Sequence, residues 1–288
     1  MMPDKSRHDW LGLAGRACVV TGAASGIGAA VAEAAAAAGA AIAVLDKDAA
    51  GCAAMAQKLL RQGARAIAVP CDTSSESEVL AAAGQVRAAL GPCSALVNNA
   101  GMLRPGGLDS VSLADWNSVL AVNLTGYLLC SRVFAGQMHE AGGGSIVHIA
   151  SVAANFPQTR SGAYSAAKAG VLLLSRQMAA EWGPSGIRSN AVCPGMIRTP
   201  LSADFYARPG VEERRSAATA SRRIGEPRDI ADAALFLLSA RADYVNGAEL
   251  AVDGGLSSML MDMVPRPGFN NDGAAPRASA SSVKGAMQ

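Results

Sequence analysis

Short apolar runs alternate along the chain with longer segments of helical character. The short runs are apolar on both faces or rich in β-branched residues, as expected for parallel strands that are covered on both sides. The predicted strands are residues 17–21, 41–46, 64–69, 95–98, 145–150, 188–192 and 249–252. The predicted helices are residues 26–38, 49–62, 76–90, 113–140, 162–182 and 228–238. This βα alternation predicts an α/β fold of the Rossmann type, a doubly wound parallel sheet of about seven strands with helices on both faces.

The same pattern predicts the domain organisation. No Pro/Ser-rich linker interrupts the alternation, so we expect one domain at residues 15–264, preceded by an N-terminal extension at residues 1–14. The alternation of strands and helices is interrupted at residues 201–223, a polar, alanine-rich insertion after the sixth predicted strand. A long connection at the carboxyl end of a strand is where a substrate lid would sit. Residues 265–288 are rich in Pro, Gly, Asn, Ser and Ala, and this composition predicts a disordered tail.

Composition and charge exclude several function classes. The net charge of +2 comes without a basic cluster, which argues against nucleic acid or an anionic membrane as the main partner. The six cysteines are scattered without a C-x-x-C pair and the three histidines lack ligand spacing, so we expect free thiols and no metal site. The N-terminus has no signal-peptide pattern, and the longest low-charge stretch, residues 27–45, is too weakly apolar for a membrane span. These features predict a cytoplasmic protein.

A glycine-rich turn follows the first predicted strand and leads into a helix. Its spacing is G-x-x-x-G-x-G, and glycines there allow the backbone to approach a pyrophosphate that rests on the helix N-terminus. Asp46 ends the second strand, 18 residues beyond Gly28. An acid at that distance accepts hydrogen bonds from the adenosine ribose and repels a 2′-phosphate, which favours NAD. The neighbouring Lys47 is a complication, because a cation there could tolerate the phosphate.

Tyr164 and Lys168 stand four residues apart in a predicted helix, so both side chains project from one face. A cation about 4 Å from a phenol favours the phenolate by about 4 kcal/mol at an effective dielectric constant of about 20. That corresponds to roughly three pKa units and would make the phenol a useful base near neutral pH. Alone, the pair is more typical of an ordinary surface helix.

Together and in this order, the motifs resemble the short-chain dehydrogenase/reductase family, and the likeness covers residues 11–255. The matching pieces, in chain order, are Thr21-Gly22-x-x-x-Gly26-Ile27-Gly28, Asp72, Asn98-Asn99-Ala100-Gly101, Asn123, Ser151, Tyr164-x-x-x-Lys168 and Pro194-Gly195.

The resemblance implies a role for each matching position. Tyr164 would exchange the substrate proton, Lys168 would lower the pKa of Tyr164 and bind the ribose, Ser151 would position the substrate oxygen, and Asn123 would hold a water for proton relay. Asp72 and Thr73 would contact adenine. The cofactor-binding set implied in this way is Gly22, Ser25, Gly26, Ile27, Gly28, Asp46, Asp72, Thr73, Asn99, Tyr164, Lys168, Pro194, Gly195, Ile197 and Thr199.

The function expected from the resemblance is NAD(H)-dependent hydride transfer between nicotinamide and a secondary alcohol or its ketone, in a homotetramer. Methionines such as Met102 and Met196 near the expected pocket suggest an apolar or cyclic substrate, and the alternative is that the methionines pack a subunit interface. Two alternatives remain open. One is an NADPH-dependent 3-oxoacyl-carrier-protein-type reductase, against which Asp46 speaks. The other is a non-enzymatic NAD(P)-sensing or scaffolding protein on the same fold, which the intact Tyr164 and Lys168 disfavour.

Overall fold

A seven-stranded parallel sheet runs through the protein in the computed structural model, which describes residues 10–264. Its strands lie in the order β3-β2-β1-β4-β5-β6-β7. This arrangement confirms the predicted Rossmann-type fold. The strands are β1 (Ala17–Thr21), β2 (Ala41–Asp46), β3 (Ala66–Pro70), β4 (Cys93–Asn98), β5 (Gly144–Ile149), β6 (Ile187–Pro194) and β7 (Glu249–Val252).

The helices connect these strands across both faces of the sheet. Side-chain caps begin several of them: the Asp48 carboxylate accepts from the Gly51 amide at α2, and Ser75 accepts from the Glu78 amide at α3. The helices are α1 (Gly26–Ala37), α2 (Ala49–Arg61), α3 (Glu76–Leu90), α4 (Leu113–Leu120), α5 (Gly126–Glu140), α6 (Tyr164–Trp182), α7 (Ala203–Tyr206), α8 (Val211–Ala217) and α9 (Pro227–Leu238).

The core consists of two apolar layers, one on each face of the sheet. On one face, alternate strand residues such as Val20 and Val97 pack with side chains of α1 and α9. On the other face, their neighbours Val19 and Leu96 pack with α3 and α5 around Phe134. Successive strand side chains point to opposite faces, so an apolar strand buried on both sides joins the two layers.

The predicted helix at residues 113–140 is divided in the structure. A wide helical turn at Ala121–Thr125, with hydrogen bonds to the fifth residue along, separates α4 from α5. The stretch Leu113–Glu140 is long enough to cross a membrane, and an 18-residue window within it is apolar enough, with a mean hydropathy of 1.4. Tyr127, Phe134 and Met138 are nevertheless buried in the sheet's own core, which identifies a core helix.

The strand order positions the functional site. β1 lies between β2 and β4. The connection after β1 runs to β2 and the connection after β4 runs the opposite way to β5, which opens a crevice at the carboxyl ends of these strands. The predicted lid, residues 201–223, holds the short helices α7 and α8 beside this edge. The predicted tail at residues 265–288 and residues 1–9 of the predicted extension lie outside the described residues. The predicted domain limits remain predictions.

Candidate active site

One cleft at the carboxyl edge of the sheet collects most of the predicted site residues. Asn123 and Gly28 are the predicted members that do not line it. Those that do are Gly22, Ser25, Gly26, Ile27, Asp46, Asp72, Thr73, Asn99, Ser151, Tyr164, Lys168, Pro194, Gly195, Ile197 and Thr199.

The glycine turn between β1 and α1 is built by close backbone contacts. Gly22 has a φ of 62°, in the left-handed region that favours glycine. A Cβ on Gly28 would lie 2.2 Å from the carbonyl oxygen of Gly22, so Gly28 shapes the turn from behind. Asn99 Nδ2 donates to the carbonyl oxygens of Thr21 and Gly22, each at 3.0 Å. Asn99 therefore anchors the turn to the end of β4.

The residues of this turn fit a dinucleotide. The Ser25 side chain does not cap α1, and the first turn of the helix carries no acidic residue. Its amide groups can therefore bind an anionic phosphate at the cleft. Asp46 Oδ2 accepts from the Ala24 amide and Oδ1 from the Asp48 amide, each at 3.0 Å. These bonds hold the carboxylate beside the turn, where it suits a ribose diol.

Asp72 and Thr73 follow β3 at the same end of the cleft. Asp72 Oδ1 accepts from the Ser74 hydroxyl at 2.6 Å and from the Ser74 amide at 2.9 Å. These hydrogen bonds lower the pKa of the Asp72 carboxyl. The carboxylate is thereby kept charged and in one orientation, with the buried Thr73 beside it.

Ser151 and Tyr164 meet where β5 ends and α6 begins. Ser151 Oγ accepts a hydrogen bond from the Ala153 amide at 3.1 Å. This bond does not use the hydroxyl hydrogen of Ser151, which is therefore available to donate to another acceptor. Burial raises the pKa of the Tyr164 phenol, and a hydrogen bond with Ser151 acts in the opposite direction. Both side chains line the cleft, and their role in proton transfer remains a prediction.

Lys168 lies beneath this pair and is almost completely buried. Its Nζ donates to the carbonyl oxygen of Ile149 at 2.7 Å and to Tyr127 Oη at 3.0 Å, and it is 5.8 Å from the centroid of the Tyr164 ring. Burial lowers the pKa of Lys168 to about 7. Burial thus favours the uncharged form of both Tyr164 and Lys168, and the hydrogen bonds of Lys168 Nζ go to Ile149 and Tyr127. That Tyr164 acts as a base near neutral pH remains a prediction.

Tyr127 is the residue at this centre that sequence reasoning missed. Its ring is buried and stacks on His148, with ring centroids 5.9 Å apart. Its hydroxyl donates to the Ile149 carbonyl oxygen at 3.0 Å and accepts from Lys168 Nζ. The available signal was a tyrosine placed four residues after Asn123, on the core-facing side of an apolar helix.

Asn123 lies buried in the wide turn between α4 and α5. Its Oδ1 accepts from the Met102 amide and its Nδ2 donates to the Met102 carbonyl oxygen, both at 2.9 Å. Asn123 therefore fixes the loop after β4, and Met102 of that loop lines the cleft. Its role in a water relay remains a prediction.

The other wall of the cleft comes from the end of β6 and from the lid. Gly195 is required by close packing, since a Cβ there would lie 2.7 Å from Asp253 Cα. The Thr199 amide donates to Ser202 Oγ at 3.0 Å, which shapes the entry to the lid. Arg215 of α8 also lines this wall, and no sequence pattern had singled it out. Among residues 10–264, no three His, Cys, Asp or Glu side chains are grouped for a metal ion.

This fold and cleft define a class of protein, the Rossmann-type oxidoreductases that bind a nicotinamide dinucleotide. Comparisons with known proteins narrow the class. Residues 22–257 match the family model described as enoyl-(acyl carrier protein) reductase. D-threitol dehydrogenase of Mycolicibacterium smegmatis is 41% identical over 84% of this chain and 93% of its own length. Cis-4-hydroxycyclohexanecarboxylate dehydrogenase of Sinomonas cyclohexanicum is 41% identical over 85% of this chain and 97% of its own.

Solved structures agree with these sequence matches. A gluconate 5-dehydrogenase from Burkholderia cenocepacia, in complex with NADP and tartrate, is 34% identical over 88% of this chain and 99% of its own, with a TM-score of 0.83. A 7α-hydroxysteroid dehydrogenase complexed with NADH and 7-oxo glycochenodeoxycholic acid is 36% identical over 86% and 96%, with a TM-score of 0.82. The chain belongs to the short-chain dehydrogenase/reductase family, as its motifs had indicated.

Proposed function

We propose that this protein is an NAD(H)-dependent oxidoreductase that interconverts a secondary alcohol and its ketone. The observation that carries the proposal is that Ser151, Tyr164 and Lys168 line the same cleft as the glycine turn. Proton-transfer groups and a dinucleotide cradle are the two parts that such a reaction needs from the protein.

Each polar group at the centre has a distinct task. The glycine turn and Asp46 would hold NAD, which would supply the acceptor for the hydride of the carbinol carbon. Tyr164 Oη takes the proton of the alcohol, and Ser151 Oγ donates its hydrogen to the substrate oxygen. Lys168 supplies positive charge beside the phenol and, by family resemblance, binds the ribose. Asn123 holds the loop that carries Met102 at the substrate's side.

Asp46 supports NAD as the preferred cofactor. Its carboxylate is held beside the glycine turn by the Ala24 and Asp48 amides. A 2′-phosphate brought to this position would meet a fixed negative charge. The two structural relatives described above were solved with NADP and with NADH, so family membership alone leaves the choice open. The same carboxylate speaks against the alternative of an NADPH-dependent 3-oxoacyl reductase.

The lining of the cleft supports an apolar or cyclic alcohol. Met102, Met196 and Leu201 contribute flexible apolar side chains on the substrate's side. The relatives named above act on a polyol and on a hydroxylated ring. We also propose a cytoplasmic homotetramer. The family resemblance supports this oligomeric state.

A substrate panel tests the proposal. The purified protein would be assayed with threitol, galactitol, cis-4-hydroxycyclohexanecarboxylate and a 7α-hydroxysteroid, for NADH formation from NAD and, separately, for NADPH formation from NADP. We expect NADH formation with at least one secondary alcohol. Ser151→Ala should lower kcat by about 10²-fold, since it removes a hydrogen bond to the reacting oxygen. Ser110→Ala, in an exposed loop, is the control. No turnover in either direction across the panel and its ketones would contradict the proposal.

A further inference from the structure

The strand order divides the cleft into two halves. Asp46 and Asp72, which suit the adenosine half of a dinucleotide, follow β2 and β3 on one side of β1. Ser151 follows β5, and the lid follows β6, on the other side. A charged group on the lid side therefore lies in the part of the cleft that also holds Ser151 and Tyr164, where a substrate can reach it.

Arg215 of α8 is such a group. Its Nε donates to Met196 Sδ at 3.1 Å, and Met196 itself lines the cleft. Its Cζ lies 5.0 Å from the centroid of the Tyr206 ring and 5.6 Å from that of Phe205. Two aromatic rings and a sulfur atom thus restrict the guanidinium before any ligand arrives. A restricted guanidinium loses little rotamer entropy when it binds an anion.

Arg215 has no carboxylate partner within the described part of the chain, in contrast with two other arginines at this edge, Arg198 and Arg223. Arg198 pairs with Glu212 at 2.5 Å and with Glu226 at 3.3 Å. Arg223 pairs with Asp229 at 2.7 Å. For Arg215, the bond to Met196 is the one side-chain hydrogen bond among residues 10–264. Its two Nη groups keep the paired donors that match a carboxylate.

A second unsatisfied polar group lies beside Arg215. Tyr206 Oη is buried and has no hydrogen-bond partner. Within residues 10–264, Asn98 Oδ1 is the one other buried side-chain nitrogen or oxygen atom without a partner. Buried hydroxyls without partners are uncommon because leaving one unpaired costs about 1–3 kcal/mol. An anion at Arg215 would bring acceptor oxygens to this part of the lid.

We propose that Arg215 binds a carboxylate at the end of the substrate remote from the carbinol, so that the substrates are hydroxy acids. This inference rests on the proposed function and names the substrate class of the same cleft. The apolar side chains of Met102, Met196 and Leu201 line the same cleft as the two polar ends. They suit a substrate whose hydroxyl and carboxylate are separated by apolar carbons.

A binding measurement tests the assignment without turnover. Cyclohexanecarboxylate and cyclohexanecarboxamide would be titrated by calorimetry into the protein saturated with NADH, whose nicotinamide ring is uncharged and cannot itself attract the acid. The two probes share a ring and differ in charge. We expect the carboxylate to bind about tenfold or more tightly than the carboxamide, because bidentate charged hydrogen bonds add to a shared apolar contact.

Variants of α8 complete the test. Arg215→Gln should remove the preference for the carboxylate, Arg215→Lys should retain part of it, and the exposed Arg214→Gln should leave it unchanged. The Kd of NADH should be the same in all four proteins. Equal binding of the two probes to the wild type, or a preference that survives Arg215→Gln, would overturn the assignment. Weaker binding of NADH by Arg215→Gln than by the wild type would also overturn it, because Arg215 would then contact the cofactor and not the substrate.

Failure of this inference is distinguishable from failure of the proposed function. A protein that binds NADH and oxidises neutral secondary alcohols, yet shows no preference for the carboxylate, retains the proposed function and loses the role of Arg215. A protein that does not bind NADH loses the proposed function and, with it, the assignment of Arg215.

Discussion

The Ser151–Tyr164–Lys168 centre and the lid at residues 201–223 border the same cleft and are held by different contacts. At the centre, Lys168 is buried and bound to a strand carbonyl and a buried phenol. The lid is tied down by ion pairs between half-exposed side chains, such as Arg198–Glu212 and Arg223–Asp229. Exposed ion pairs contribute little to stability, whereas buried polar groups depend strongly on their partners. The centre is therefore suited to fixed chemistry and the lid to selection and movement.

Replacing Lys168 should have the largest effect on activity of the replacements considered in the centre and in the lid. We expect Lys168→Met to lower kcat/KM by about 10²–10⁴-fold, because the phenol loses its cationic partner. The midpoint of thermal unfolding should stay unchanged or rise at neutral pH, since an apolar side chain replaces a buried amine whose charged form carries a desolvation penalty. Kinetics and calorimetry measure the two effects. The exposed Lys58→Met is the control.

The stability of the wild type should depend on pH through the same group. The pKa of Lys168 is about 7 in the folded state, below its ordinary value of 10.5. Between these values the unfolded chain binds more protons, so stability rises with pH across that window. Lys168→Met should lack this increase. An identical pH dependence of the thermal midpoint in both proteins would contradict the pKa assigned to Lys168.

Removing the Asp46 carboxylate should change the cofactor preference. We expect the wild type to have a higher kcat/KM with NAD than with NADP. Asp46→Ala should lower the ratio of these two values by about 10–100-fold, because the charge that opposes a 2′-phosphate is removed. Asp232→Ala, on the exposed face of α9, should leave the ratio unchanged. A wild type that prefers NADP would refute this interpretation of Asp46.

The Tyr127 hydroxyl offers a smaller and more specific test of the centre. Tyr127→Phe removes an acceptor from the Lys168 ammonium, so the pKa of Lys168 should fall further and the phenolate of Tyr164 should be less stabilised. The rising limb of the pH profile for alcohol oxidation should shift to higher pH by about one unit, the effect of one hydrogen bond to a charged group. A loss of activity without a shift of the profile would indicate a purely structural role.

Loosening the lid should have the smallest effect. Arg198→Gln breaks exposed pairs with Glu212 and Glu226. We expect KM for the alcohol to rise about two- to threefold and the thermal midpoint to stay unchanged, because solvent screens such pairs. A fall in kcat comparable to that of Lys168→Met would contradict the division between centre and lid.

The same two regions show how far the sequence was informative. The bounds of β1, β2 and β7 agree with prediction, because apolar runs between turn residues mark buried strands. The position of Tyr164 and Lys168 in one helix followed from their spacing. The wide turn at Ala121–Thr125 and the contact of Tyr127 with Lys168, 41 residues apart, could not be predicted, since they depend on packing between distant elements.

Arg215 illustrates the limit in the lid. Its contacts with Met196, Phe205 and Tyr206 arise from how two short helices fold against the end of β6. No periodic pattern marks such an arrangement, since α7 has four residues and α8 has seven. Sequence motifs therefore predicted the reaction class, and the side-chain packing of the lid was needed to address the substrate.

The most direct test of the central claim is a single-turnover measurement of NADH formation in the wild type and in Tyr164→Phe, with saturating NAD and an alcohol that the panel identifies. Loss of the hydroxyl that takes the proton should slow NADH formation by about 10³-fold, within the range for general acid–base catalysis. The affinity for NADH, measured by fluorescence, should change by about twofold at most, since the ring remains in place. NADH formation within tenfold of the wild-type rate would contradict the assignment of Tyr164 as the proton-transfer group.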